Sequence, residues 1–187
     1  MSHKRAPLTK HIEAFKSETR MLLRFFLSFK RIIKFSNFNE ISRTEYVDLL
    51  IALKALENDM LLRICKFDDK TRGVHSFHKA ESEITQNHPN KNLISEKIKA
   101  FGILIKELKE QRRHQELAHL KIGEVDNEYA VKYNLLPAIK LIAETVDLMA
   151  EKTIDYAWSD GRYEKYSLRK DVLESVDTIK APMNGFY

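Results

Sequence analysis

Four stretches of this chain repeat apolar side chains every three or four residues, and that spacing constrains the fold more than any other feature. The first stripe is Ile12, Phe15, Thr19, Leu22, Phe26, Phe29 and Ile33, with Thr19 the one polar interruption. The second is Tyr46, Leu49, Leu53, Leu56, Met60, Ile64 and Phe67, and the third is Ile94, Ile98, Phe101, Ile105 and Leu108. The fourth is Leu135, Ile139, Ile142, Val146, Met149, Thr153 and Tyr156. Such a period puts each set on one side of an α-helix. Five glycines and four prolines among 187 residues are too few for a chain of many tight turns, and no alternating strand pattern stands out. Each helix has one face to bury and the connections are mostly short. The expected class is all-α, an up-and-down four-helix bundle with one or two extra short helices.

Local signals set the expected boundaries. "FSNFN" at 35–39 interrupts the first helix, and "SRTE" at 42–45 has the form of a capping box, Ser42 with Glu45. "DDKTRG" ends the second helix with Gly73 as the breaker, and a short helix is expected over roughly 76–86 before "QNHPN". Asn134 is placed to cap the last long helix, and Pro137 falls in its first turn, where a missing N–H costs little. Residues 1–158 read as the helical bundle. Residues 159–187 read as a C-terminal extension packing on or beside it, with one more short helix in "DVLESVDTI".

The single cysteine, Cys65, allows no internal disulfide and fits no zinc spacing; it reads as a packing residue. "MSHKRAPLTK" is not followed by an apolar run of secretory-signal length, and "AFGILI" at 100–105 is far shorter than a membrane span. A cytoplasmic protein without membrane segments is expected. Charge is uneven: residues 1–34 hold nine Lys/Arg against Glu13 and Glu18, a local excess of +7. A basic stripe of this kind attracts nucleic acid or an anionic surface. A membrane-surface role for the first helix is set against its phenylalanines, which fall at core spacing.

The end of the third stripe carries the functional signal. Continued at its own spacing, the line 94, 98, 101, 105, 108 reaches Arg112, Gln115 and His119 within "KEQRRHQELAHLK" at 109–121. A core face turns polar and ionisable while Leu117, Ala118 and Leu120 still flank the histidine. An imidazole titrates near neutral pH and moves protons. A guanidinium grips a phosphate in two places and stabilises charge that builds up on it. Together they suffice for phosphodiester chemistry without a metal.

"RRHQELAH" resembles the R-x(4–6)-H motif of the HEPN superfamily, helical bundles that include many metal-independent endoribonucleases. Arg113 to His119 fits as R-x5-H with His114 in the polar slot, and Arg112 to His119 fits as R-x6-H. An ideal helix favours Arg112, whereas the motif's polar second residue favours Arg113. "LLRICKFDDKTRGVHSFHKAE" is similar to a helix–loop–helix segment of an abortive-infection branch, and the resemblance spans about residues 8–158. It implies a homodimer whose two motifs share one cleft, with RNA as substrate and no cofactor. His119 would act as general acid or base and Arg113, or Arg112, would clamp the phosphate. His114, Gln115, Lys109 and Lys121 would bind substrate, and the basic first helix with Lys97, Lys106 and Lys109 would contact the backbone. A toxin or phage-defence role is implied, beside an antitoxin such as a nucleotidyltransferase-like protein. The alternative is a non-catalytic HEPN-like interaction or nucleotide-binding module that works with a partner.

Other candidates read more plainly. His75 and His78 in "HSFH" have no third ligand at metal spacing and are expected as loop histidines. Arg63 with Asp68 and Asp69 is expected as a helix-end ion pair. Tyr156 and Trp158 are expected to close the end of the bundle.

Overall fold

A computed structural model describes residues 7–34, 40–112, 134–159 and 165–174. The elements are α1 (Leu8–Ile33), α2 (Arg43–Lys66), α3 (Phe77–Glu83), α4 (Lys91–Arg112) and α5 (Leu136–Met149). Two short strands follow, β1 (Ala157–Ser159) and β2 (Lys165–Ser167), then a π-helical turn at Arg169–Leu173. The result is the all-α bundle expected from periodicity. Helix α1 packs against α2 and α5, α4 packs against α5, and the short α3 touches α1 and α4.

The stripes are the core. In α1 every stripe residue from Ile12 to Phe29 is buried, Thr19 included, and Leu23 and Leu27 widen the face. All five stripe residues of α4 are buried, as are Leu135, Ile139, Ile142, Val146 and Met149 of the fourth line. Burying each such side chain contributes roughly 1.5–3 kcal/mol. Phe15, Phe67, Phe77 and Phe101 meet at one end of the bundle, with ring centroids 5.1–5.5 Å apart for four of the pairs and 6.5 Å for Phe67–Phe101. These offset and edge-on contacts suit the ring quadrupole.

Several local expectations hold and several do not. Ser42 and Glu45 form the reciprocal capping box, with distances of 3.2 and 2.8 Å. Gly73 has φ +85°, a left-handed turn that a side chain would strain. Asn134 does not cap α5: Leu135 takes that position without a side-chain hydrogen bond, its own side chain buried in the core. Pro137 does lie in the first turn.

Helix α5 is also shorter than the stripe that predicts it. It stops at Met149, where Glu151 N–H donates to Leu148 O (3.3 Å) and Lys152 N–H to Asp147 O (3.2 Å). This is a Schellman-type ending with Glu151 at φ +52° in the place glycine usually takes. Thr153 is exposed in the following loop, while Tyr156 returns to the core outside the helix. The chain then pairs Ala157 with Ser167 and Ser159 with Lys165 in an antiparallel ribbon the sequence pattern did not suggest. Strands of three residues are too short for alternation to register. The π-turn adds Leu168 and Val172 to the core.

A candidate functional site at the end of the fourth helix

Helix α4 remains helical through Arg112. Its buried line ends in Ile105 and Leu108, and Arg112 is the next position on that line. One residue round from Leu108, Lys109 Nζ donates to Asp68 Oδ2 at 2.9 Å. The other oxygen of Asp68 accepts from His78 Nε2 at 2.8 Å. Asp68 lies in the turn just after α2, and His78 in the first turn of α3. One carboxylate therefore joins α4 to the α2–α3 corner, directly outside the aromatic cluster.

The electrostatics follow from these contacts. Burial pushes the Asp68 carboxyl pKa up, but the hydrogen bonds and charges of Lys109 and His78 outweigh it and hold the group below the usual carboxylate range. The backbone supports the corner, since Phe77 N–H donates to Phe67 O at 2.9 Å.

A second histidine contact lies on the α1 side. His75 Nδ1 and His11 Nδ1 are 3.1 Å apart, with the rings nearly perpendicular. One ring donates and the other accepts, so the pair holds one proton between them. Burial lowers the His11 pKa, the His75 charge lowers it further, and Glu83 pulls the other way. Beside the pair is a cavity of about 220 Å³ bordered by Phe15, Glu18, Lys66, Asp69 and His75. Glu18 accepts from both Lys66 (3.1 Å) and Arg63 (2.8 Å), so the cavity wall is close to neutral. Among the described residues no set of three His, Cys, Asp or Glu side chains is arranged to hold a metal ion.

Of the site residues expected from the sequence, Lys109 is the one whose side chain is described, and Arg112 is the last residue of α4. Arg113, His114, Gln115, His119 and Lys121 lie outside the described residues. Arg63 does not meet Asp68 or Asp69: it donates to Asp59 one turn back on α2 (2.6 Å) and to Glu18 on the neighbouring α1 (2.8 Å). Asp69 instead accepts from Thr71 N–H at 2.8 Å. Sequence reasoning missed His11 and the part played by Asp68 and His78. No periodic signal links positions 41 residues apart, as Asp68 and Lys109 are, or 64 apart, as His11 and His75 are.

Comparison with protein-family models finds no match, and comparisons with curated proteins and with solved structures find none either. No described helix is long and apolar enough to cross a membrane.

Proposed function

We propose that this chain is a metal-independent endoribonuclease of HEPN type, acting as a toxin or phage-defence effector. The observation that supports it most is the fixed end of α4. In sequence the R-x(4–6)-H stretch follows a helix whose last described side chains are anchored by Leu108 in the core and by Lys109 on Asp68. Phosphoryl chemistry depends on groups held in place before the substrate arrives, and an anchored helix end suits that need.

In this reading His119 moves the proton at the 2′-hydroxyl or at the leaving oxygen, and Arg113 or Arg112 clamps the scissile phosphate. His114, Gln115 and Lys121 orient the backbone. The 2′-oxygen attacks phosphorus, the 5′-oxygen leaves with a proton, and a 2′,3′-cyclic phosphate remains. Two copies of the chain supply one cleft. The test uses single-stranded RNA with a chelator and compares His119→Ala. Cleavage is expected in the parent and lost in the variant; cleavage that survives the substitution, or that needs a divalent metal, would falsify the mechanism.

One observation favours the second reading, a non-catalytic module acting with a partner such as a nucleotidyltransferase-like antitoxin. Lys109, expected to contact substrate, already serves Asp68. Expression separates the two readings: growth inhibition that depends on His119 belongs to the nuclease alone.

A further inference from the structure

The lysines that the sequence offered for RNA contact on α4 are engaged with carboxylates. Lys97 lies 2.6 Å from Glu144, Lys109 lies 2.9 Å from Asp68, and Lys106 is 3.8 Å from Glu110. On α1 the pattern is reversed. Both of its acids are taken, Glu13 by Lys16 at 2.5 Å and Glu18 by Arg63 and Lys66 of α2. Arg20 and Arg31 are exposed and close no ion pair among the described residues, although the Arg20 charge is felt by Glu13, which Lys16 already holds. Arg24 closes none either; its guanidinium lies over the Trp158 ring of β1, 5.4 Å from the centroid.

These three arginines share one face. At about 100° per residue, Arg24 and Arg31 lie within roughly 40° of Arg20, and the line from 20 to 31 is about 16 Å long. The intervening Leu27 is buried, and the π-turn packs along α1, so the folded tail borders this line on the side where Trp158 holds Arg24. A row of guanidiniums on one helix face beside an indole has the chemistry of a polyanion track. Guanidinium forks match phosphate oxygens, and their weak hydration keeps desolvation cheap.

We propose that the Arg20–Arg24–Arg31 face of α1, bordered by Trp158, is a phosphate-backbone track for single-stranded RNA, and that the α4 lysines are structural. The proposal takes RNA as the ligand, and so rests on the functional reading above, but it concerns binding and not cleavage. Three contacts on a narrow line fit a flexible strand, which adapts its phosphate spacing, better than a rigid duplex.

The experiment measures binding of a fluorescent 2′-O-methyl RNA of roughly 12–16 nucleotides, which cannot be cleaved, across a salt series. Three phosphate contacts predict a slope of log K against log salt near −2. Arg20→Gln/Arg31→Gln is expected to flatten that slope by about 1.4 and to weaken binding roughly tenfold or more at low salt. Arg20→Lys/Arg31→Lys, which keeps the charge, is expected to retain most of the slope, and Lys97→Gln/Lys106→Gln to leave it unchanged. Circular dichroism of each variant checks that the bundle is intact. An unchanged slope in the Gln variant, a slope that follows the α4 lysines, or binding to phosphatidylserine vesicles in place of RNA overturns the track. RNA that binds through α1 yet is not cut would leave the track standing and remove the nuclease reading. His119-dependent cutting with an unaltered Gln variant would do the opposite.

Discussion

His11 and His75 share one proton across 3.1 Å, and that contact makes the corner between α1 and the α2–α3 turn sensitive to acid. Burial first, and the His75 charge second, lower the His11 pKa below the ordinary 6.5, with Glu83 opposing. The unfolded chain therefore takes this proton before the folded one does. Above the ordinary value the pair carries no penalty; as pH falls below it, stability is lost until the folded group is itself protonated. Asp68 has its own acid limit lower down, where its depressed pKa means that the Lys109 and His78 contacts are lost only as the carboxylate is finally protonated. The urea midpoint is accordingly expected to drop between about pH 7.5 and about pH 5.5, and to drop less in His11→Gln. Equal drops in the two proteins would show that the pair does not govern this range.

Elements are held by end signals of two kinds. The start of α2 is closed by side chains that belong to a recognisable tetrapeptide, "SRTE", and both of its hydrogen bonds form. Removing one, in Ser42→Ala, is expected to cost about 1 kcal/mol. Denaturant unfolding measures it, and no loss would mean that solvent replaces the cap. The end of α5 carries no such sign. Its left-handed residue is Glu151, and its closure depends on Asp147, whose side chain accepts from Ile154 N–H (3.0 Å) and also pairs with Arg169. A stripe extending to Tyr156 therefore overstates the helix: Tyr156 is buried because the loop folds back.

For the whole molecule, the aromatic cluster connects the segments that flank the candidate site. Phe15 comes from α1, Phe67 caps α2, Phe77 begins α3 and Phe101 belongs to α4. Phe77 is fully buried and its ring meets the other three. Phe77→Ala is expected to cost about 3–5 kcal/mol, because four segments cannot close on the space it leaves. Chemical denaturation reads the loss. A cost below about 1 kcal/mol would place α3 outside the cooperative core. Lys109 and His78 sit on this foundation, so the same variant should also loosen the end of α4.

The spacing of apolar residues was enough to determine four long helices and the face each one buries, and the tetrapeptide "SRTE" the capped start of α2, since all of these depend on neighbours within a turn or two along the chain. The R-x(4–6)-H stretch was read from the same line, where the apolar spacing of α4 gives way to Arg112, and from Arg113 onward it lies outside the described residues. Only the packed bundle decided which charges meet. Asp68 joins Lys109 and His78 and not Arg63, Glu18 is drawn to α2, Arg24 lies against Trp158, and Arg20 and Arg31 are left exposed. Ion pairs and histidine contacts act over a few ångströms in space, and which residues come that close depends on how separate helices lie against one another, which no local period encodes.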